Sequence, residues 1–232
     1  MIQSILPLAV KSFALKTNAP SERPRIDPKH NLTLFPIEQS ALGRAVEERT
    51  TEFQLGRFCA RTALTQLEYD WLPIPVGPSR EPIWPDGVAG SITHCNGYVA
   101  AAVARARAVY ALGIDAELNL SLPEEVVASI LTPEEIDAID GLPSVGIHWD
   151  RLIFSAKECV FKAWFPRQRS WLEFHECAIR VTPSSRSFEA HLLLAASQDA
   201  PDELRIMHGK YIAEERFIAT AIVVPNTCSA ID

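Results

Sequence analysis

The sequence lacks the cysteine pattern of a disulfide framework or a structural zinc site. Its five cysteines are an odd number, lie scattered along the chain and form no C-x-x-C pair. Disulfide-rich domains carry paired cysteines and zinc sites carry closely spaced ligands, so both classes are disfavoured. Free thiols fit a reducing compartment, and we expect a cytoplasmic protein. The cysteines are Cys59, Cys95, Cys159, Cys177 and Cys228.

Long apolar runs are also missing, since no run approaches the roughly 20 residues that a membrane helix requires. The N-terminal segment MIQSILPLAVKSFALK has no basic stretch before its apolar part, and Pro7 and Lys11 interrupt it. It is therefore unlike a signal peptide. We expect no membrane association.

Positive charge is in deficit, with 22 Lys and Arg against 29 Asp and Glu and a net charge of -7. A broad nucleic-acid surface needs clustered cations and is disfavoured. A pocket for a small phosphorylated ligand needs only a few basic side chains and remains open. The 232 residues, 47% of them hydrophobic, suffice for a sizeable core in one domain or two small lobes.

The first half of the chain predicts helices followed by strands. Residues 40–68 have a helical pattern, as one or two helices, whereas residues 17–36 and 71–90 are typical of loops. SITHCNGYVAAAVA predicts a hairpin, because Asn-Gly supplies the positive φ of a tight turn. AVYALGIDAE predicts the next strand.

The second half predicts helices and then strands, which makes the fold α+β. Helices are expected to start near Pro123 and in TPEEIDAI, where Thr132, Pro133 and Glu135 form a capping-box pattern. A helix from about residue 150 to 165 should end before Pro166. Four predicted strands follow: ECAIRVT, FEAHLLLA, LRIMHGKYIA and RFIATAIVV.

The helix WDRLIFSAKECVFKAWF is apolar around most of its circumference, which predicts burial. Arg151, Ser155, Glu158 and Lys162 form a single polar stripe along it. Such a stripe faces either solvent or a site, and an ordinary Glu158–Lys162 pair on a solvated face explains it equally well. Lys157 lies about 100° from Glu158 around the helix, so it points to a different neighbour or to the rim of the same cleft.

Two acids, Asp115 and Glu117, end the strand LGIDAE and share one face, while Ala116 points to the other. Paired carboxylates suit Mg²⁺, which takes one or two of them and fills its shell with water and phosphate oxygens. The spacing D-x-E is common, however, and by itself a solvated strand end is the better explanation.

Candidate phosphate contacts come from the first long helix and the loop and hairpin after it. Arg57 and Arg61 are one turn apart and share a face, with Arg49 about two turns before Arg57. Arginine suits bidentate phosphate contacts. Arg80 lies in the loop and His94 near the hairpin turn. Taken singly, each could be a surface cation, and for His94 a structural role is the better explanation.

In this order, the segments resemble the Sfp/EntD-type 4'-phosphopantetheinyl transferases, and within them the actinobacterial members of the EntD-like branch. The resemblance spans about residues 47–175, and the last matching segment contains K-E-x-x-x-K. The matching segments are GRFCARTAL (56–64), REPIWPDGVAGSITH (80–94), GIDAE (113–117) and WDRLIFSAKECVFKAWFP (149–166).

The resemblance implies two similar α/β lobes related by a pseudo-two-fold axis, residues 1–117 and 118–232, with coenzyme A and Mg²⁺ in the cleft between them. The first lobe would contact the nucleotide phosphates and the second would carry the catalytic helix. The reaction it implies moves the phosphopantetheine arm of coenzyme A onto a serine of an apo acyl or peptidyl carrier protein and releases adenosine 3',5'-bisphosphate. Such a cleft would work in a monomer.

The resemblance also implies roles for individual residues. Asp115, Glu117 and Glu158 would hold the metal, and Glu158 would also be the general base for the serine hydroxyl. Lys162 would stabilise charge on the phosphates. The coenzyme A contacts that it implies are Arg49, Arg57, Arg80, Ser91, Thr93, His94, Asp115, Lys157 and Lys162.

Partner binding would combine an apolar patch with local cations, for which Arg167 and Arg169 are candidates. The carrier proteins of fatty-acid, polyketide and peptide synthases all remain open, as does Mg²⁺ against Mn²⁺. Two alternatives use the same residues: a metal-dependent phosphodiesterase with water as nucleophile, and a non-catalytic nucleotide- or carrier-binding module. The module would be expected to lose a metal-site acid, and all three are present.

Overall fold

The computed structural model describes residues 1–16, 32–43, 46–193, 198 and 200–226. Most of the first predicted loop and Cys228 lie outside these residues. Within the described part, no helix is both long enough and apolar enough to cross a membrane.

The described residues form an α+β fold, and the predicted helices and strands of both halves are present. Leu194 and Ala195 of the predicted strand FEAHLLLA lie outside the described residues, and Leu204 and Arg205, predicted as strand, are helical instead. Residues 40–68 contain two helices rather than one. Short 3₁₀ segments occur at Ile2–Ile5, Phe174–Glu176 and Pro183–Ser185. The helices are α1 (Pro36–Leu42), α2 (Glu47–Thr65), α3 (Glu124–Ile130), α4 (Pro133–Ile139), α5 (Trp149–Gln168) and α6 (Asp202–Arg205). The strands are β1 (Lys11–Lys16), β2 (Val88–Cys95), β3 (Tyr98–Arg105), β4 (Val109–Leu118), β5 (Cys177–Thr182), β6 (Ser187–Leu192), β7 (Ile206–Ala213) and β8 (Phe217–Pro225).

The strands form two antiparallel sheets. The smaller has the order β1-β3-β2, and the larger has the order β4-β8-β7-β6-β5. The β2–β3 hairpin turns at Asn96 and Gly97, where Gly97 has a φ of 87°. The predicted hairpin is therefore confirmed.

Side-chain hydroxyls join the two sheets where β2 meets β4. Ser91 Oγ accepts a hydrogen bond from the Ile114 amide at 3.1 Å, and Thr93 Oγ1 accepts one from the Ala116 amide at 3.0 Å. These amides lie on the edge of β4 that does not pair with β8. Because buried amides need acceptors, the two hydroxyls take the place of a backbone ladder.

The two long helices cover opposite sides of this double sheet. α2 packs its buried face on one side of β3, and α5 packs on the larger sheet. Between the sheets lies a third apolar layer, formed by the other face of β3 and alternate residues of β4, including Ala116. Strand alternation therefore sends Ala116 into the core, as predicted.

Helix α5 is largely buried, as its apolar circumference predicts, but it runs past Pro166 to Gln168. The predicted end at residue 165 is wrong. Proline removes one backbone donor, yet its φ is compatible with a helix, and only two further helical residues follow it. The helix stops at Arg169, whose left-handed φ of 54° turns the chain away.

A glycine sets how closely α5 approaches β4. A Cβ atom at Gly113 would collide with the carbonyl oxygen of Cys159 on α5. The Cys159 thiol donates a hydrogen bond to the Gly113 carbonyl oxygen at 3.0 Å. Helix and strand are therefore in backbone contact at this point, one residue from Glu158 and two from Asp115.

Each long helix is anchored by a buried glutamate from a short helix before it. In the first half, Glu38 on α1 pairs with Arg61 on α2 and accepts the Ile74 amide at 2.8 Å. In the second half, Glu135 on α4 lies 2.7 Å from the ammonium of Lys157 on α5.

The two glutamates also share their local setting, because each is the third residue of a helix that begins with proline. Glu38 accepts the Phe35 amide at 2.9 Å, and Glu135 accepts the Thr132 amide at 2.8 Å. The capping box predicted for Thr132 is confirmed. The same arrangement thus occurs in both halves. The pseudo-two-fold axis and the lobe boundary at residue 117 stay predictions, and β4 itself pairs with β8 in the larger sheet.

We predict that Gly113→Ala lowers the free energy of unfolding by about 3 kcal/mol or more, because a backbone oxygen cannot rotate away from the new methyl group. Urea unfolding would measure the loss. Gly141→Ala is the matched control, since its Cβ would lie 3.5 Å from the nearest atom, an ordinary contact. Equal stability of the two variants would contradict the packing described for α5.

Candidate active site

A cleft of about 750 Å³ opens between α2, the 76–82 loop, β2 and α5. Apolar side chains from α2 and α5, among them Phe53 and Phe161, form part of its wall. Its charged lining is mixed, with cations from both halves of the chain. The charged and titratable residues that line it are Arg49, Glu52, Arg57, Arg80, Glu81, His94, Glu158 and Lys162.

The cleft brings together four of the five phosphate candidates that the sequence suggested: Arg49, Arg57, Arg80 and His94. Arg49 and Arg80 are exposed, and Arg80 has a left-handed φ of 70°. Arg57 is buried and donates from Nε to the Ile74 carbonyl oxygen at 2.8 Å. Burial lowers the pKa of Arg57 to about 10, so it remains a cation at neutral pH. The Nδ1 atom of His94 lies 3.6 Å from Glu52.

Arg61, the other sequence candidate on α2, is not part of the cleft. Its side chain is fully buried against Glu38, and its Nε donates to the Leu72 carbonyl oxygen at 3.1 Å. A helical face shared with Arg57 therefore does not put both guanidinium groups at one site. Arg61 pairs with Glu38 in the interior, and only Arg57 of the two lines the cleft.

Asp115 is a buried carboxylate held by donors from three directions. Its Oδ1 accepts from Lys162 Nζ at 2.6 Å and from Thr93 Oγ1 at 3.1 Å. Its Oδ2 accepts from Ser155 Oγ at 2.8 Å. The polar stripe of α5 thus faces β4, and Lys162 connects Asp115 to the cleft wall.

Burial disfavours the charged forms of the two neighbouring acids, Glu117 and Glu158. Burial, followed by the charge of Asp115, raises the pKa of Glu117 to about 7, although Arg151 lies 3.2 Å away and opposes the shift. Burial also raises the pKa of Glu158, with Lys162 opposing it and Asp115 adding to it. For Lys162, burial acts to lower the pKa, but Asp115 and Glu158 outweigh it and the pKa is raised.

Three neighbouring carboxylates suit a hard divalent cation, which takes oxygen ligands. Asp115 and Glu158 both raise the pKa of Glu117, so the three acids are near one another in electrostatic terms. Within the described residues, however, no group of three or more His, Cys, Asp or Glu side chains is arranged to hold a metal ion. The donor chemistry fits Mg²⁺, and the metal role of these acids stays a prediction.

The two hydroxyl candidates on β2 differ in what they can offer a ligand. Ser91 lines the cleft, and after accepting the Ile114 amide it still has its own proton to donate. Thr93 gives its proton to Asp115 and accepts the Ala116 amide. It is not among the described residues that line the cleft. Thr93 therefore fits a supporting role better than nucleotide contact.

The structure does not bring Lys157 together with the other candidates, and its expected place among the coenzyme A contacts stays a prediction. Its ammonium is buried and donates to the carbonyl oxygens of Ile130 and Phe174, each at 2.8 Å, besides its ion pair with Glu135. These three partners use all three of its protons. The lysine therefore holds α5 to the elements on its far side.

Sequence reasoning missed several residues that shape the site. Glu52 and Glu81 line the cleft, and Thr220 contacts Ser155 beneath Asp115. Glu38 positions Arg57 and Arg61 of α2. The FPIE segment carries proline two residues before Glu38, as TPEE does before Glu135, and that parallel is the signal that could have found Glu38.

Comparison with known proteins gives the family. A model described as "4'-phosphopantetheinyl transferase N-terminal domain" matches residues 37–104, and one described as "4'-phosphopantetheinyl transferase superfamily" matches residues 111–218. The chain is 42% identical over 226 residues to 4'-phosphopantetheinyl transferase Svp of Streptomyces mobaraensis, covering 97% of this chain and 89% of Svp.

Two further relatives extend the match. The chain is 36% identical over 228 residues to 4'-phosphopantetheinyl transferase PptT of Mycobacterium tuberculosis, covering 97% of this chain and 98% of PptT. It is also 36% identical over 127 residues to enterobactin synthase component D of Escherichia coli, covering 53% of this chain and 58% of that protein. The protein belongs to the 4'-phosphopantetheinyl transferase superfamily, and the resemblance to its actinobacterial branch is confirmed.

We predict that Lys157→Met lowers the free energy of unfolding by about 3–5 kcal/mol, because it leaves Glu135 buried and unpaired. Urea unfolding would measure this, with exposed Lys210→Met as the control, for which a change below about 0.5 kcal/mol is expected. The folded variant should bind coenzyme A as the wild type does. Unchanged stability together with lost coenzyme A binding would contradict the anchoring role and indicate that Lys157 contacts coenzyme A in the cleft.

Proposed function

We propose that this protein transfers the 4'-phosphopantetheine arm of coenzyme A to a serine of an apo carrier protein and releases adenosine 3',5'-bisphosphate. Family membership supports the reaction class. The observation that carries the proposal is the cleft, because it joins cations of the first half to Glu158 and Lys162 of α5.

The cations suit the phosphates of coenzyme A. Arg49, Arg80 and His94 are exposed at the cleft and can follow a flexible ligand, whereas Arg57 is fixed by the Ile74 carbonyl oxygen and Glu38. Guanidinium groups bind phosphate oxygens through paired hydrogen bonds. We assign Ser91, whose hydroxyl proton has no acceptor recorded among the described residues, as a further donor to the nucleotide.

Glu158 is the proposed general base for the incoming serine hydroxyl. It lines the cleft, and its raised pKa makes it a stronger base than an ordinary glutamate. Lys162 lies one turn further along α5 with its ammonium charge retained. It would stabilise the negative charge that develops on the phosphate oxygens during transfer.

Asp115, Glu117 and Glu158 are the proposed ligands of a divalent cation, Mg²⁺ or Mn²⁺. When bound, such an ion neutralises the pyrophosphate and polarises the phosphorus under attack. The chain holds Asp115 in one orientation and keeps Arg151 within 3.2 Å of Glu117. Both contacts limit the motion of the acids that would serve the ion.

The carrier protein would dock at the mouth of the cleft beside the end of α5. Trp171 is 65% exposed and packs on Phe161, which lines the cleft, with ring centroids 4.8 Å apart. Arg167 and Arg169 lie exposed nearby and also contact Tyr110 and Glu81. An apolar patch edged by cations suits an acidic partner.

A metal-dependent phosphodiesterase would use the same acids with water as the nucleophile. The two reactions differ in their products, since only transfer makes the carrier heavier. The protein, coenzyme A, Mg²⁺ and several apo carrier proteins should give carriers heavier by one phosphopantetheine arm in intact-mass spectra. Hydrolysis of coenzyme A without any mass gain, by protein shown to be folded, would contradict transfer.

We predict that Glu158→Gln lowers the rate of transfer by about 10²–10⁴-fold, because the amide cannot accept the serine proton. Coenzyme A binding should stay detectable by calorimetry. Glu215→Gln, an exposed change in the turn between β7 and β8, is the matched control and should transfer normally. A wild-type rate for Glu158→Gln would show that another group is the base.

A further inference from the structure

Two buried hydroxyls meet beneath Asp115. Asp115 on β4 lies directly opposite Thr220 on β8 in the antiparallel register, and the Ser155 hydroxyl on α5 contacts the side chains of both. Ser155 and Thr220 are fully buried. Three separate elements therefore bring polar side chains together at a buried point where apolar side chains would otherwise be expected.

The contacts form a chain that ends at the carboxylate. Ser155 Oγ donates to Asp115 Oδ2 at 2.8 Å. The single hydroxyl proton of Thr220 can be donated either to the Ser155 carbonyl oxygen or to Ser155 Oγ, each 3.0 Å from Thr220 Oγ1. Thr220 thus fixes Ser155, and Ser155 fixes Asp115.

The serine uses its proton in an uncommon way for a helical residue. A serine inside a helix commonly bonds the carbonyl oxygen four residues earlier, or solvent. Ser155 instead donates across to another element. Alanine has the higher helix propensity, and an isolated buried hydroxyl is costly, so packing alone does not favour serine here.

The two carboxylate oxygens of Asp115 accept different numbers of hydrogen bonds. Among the described residues, Oδ1 accepts from both Thr93 and Lys162, whereas Oδ2 accepts from Ser155 alone. A carboxylate oxygen has about two acceptor sites. Oδ2 therefore retains an acceptor site, and the Ser155 hydrogen bond fixes the direction in which it points.

We propose that Ser155 and Thr220 are positioning residues that orient Asp115 toward the divalent cation of the transfer reaction. The inference rests on the proposed function, since it assumes that Asp115 serves such an ion. Neither hydroxyl needs to touch coenzyme A or the carrier. Hydrogen bonds of this kind orient metal ligands in proteins, and their loss commonly weakens metal binding 10–100-fold.

The test compares four variants with the wild type: Ser155→Ala, Thr220→Val, Thr220→Ser and the double variant Ser155→Ala/Thr220→Val. Valine has the shape of threonine without its hydroxyl, and serine keeps the hydroxyl without the methyl group. Calorimetric titration with Mn²⁺ in the presence of coenzyme A gives the metal affinity. Calorimetry with coenzyme A in EDTA gives the nucleotide affinity, and thermal unfolding gives the stability.

Ser155→Ala should weaken Mn²⁺ binding about 10–100-fold while changing coenzyme A affinity in EDTA less than about twofold. Thr220→Val should weaken Mn²⁺ binding in the same direction, and Thr220→Ser should stay within about twofold of the wild type. The double variant should bind Mn²⁺ about as Ser155→Ala does, because the two hydroxyls act in series. If Ser155→Ala fails to fold, the Mn²⁺ affinities of the two Thr220 variants test the inference.

Wild-type Mn²⁺ affinity in Ser155→Ala and Thr220→Val, even with lowered melting temperatures, would overturn the inference and leave only a packing role. Equal losses in Thr220→Val and Thr220→Ser would overturn it too, because the methyl group would then matter rather than the hydroxyl. Wild-type protein that binds Mn²⁺ but modifies no carrier would contradict the proposed function instead. The metal-affinity comparison is made independently of transfer.

Discussion

The arrangement of the candidate site depends on the contact between Gly113 and the Cys159 carbonyl oxygen. Without a Cβ atom at this point, α5 lies directly against β4. The helical turns on either side of Cys159 then bring Ser155 and Lys162 within hydrogen-bonding distance of Asp115. A larger residue would move the helix outward, and a few tenths of an ångström separate a hydrogen bond from a mere contact. The backbone therefore sets the spacing, and the polar side chains make use of it.

Buried charge serves two purposes in this fold. Glu38 and Glu135 each combine a helix cap with an ion pair to a long helix, so that a small number of carboxylates anchors α2 and α5. Asp115 is buried in the same way, but its donors leave one oxygen partly open. In the first two cases the buried carboxylate joins a short helix to a long one, and in the third the carboxylate keeps an acceptor site that the proposed function would use.

Much of the fold could be predicted because local signals were strong: the Asn-Gly turn, the Thr132 capping box and the polar stripe of α5. The stripe also predicted part of the site, since its residues do face Asp115 and Glu117. The neighbour of Lys157 could not be predicted, because a side chain 100° around the helix from Glu158 can point either to the rim of the cleft or to another element, and in the structure that element carries Glu135. Thr220 gave no signal, since threonine is common in strands. The catalytic and metal roles stay predictions.

The ion pairs that anchor α2 and α5 join residues only about two dozen positions apart, such as Glu38 and Arg61. The site joins far more distant ones: Lys162 lies 47 positions from Asp115, and Thr220 lies 65 from Ser155. Closing longer loops costs more chain entropy. The contacts of the candidate site are thus less local than the ion pairs that anchor the two long helices, and the geometry of the site exists only once distant segments of the chain have met.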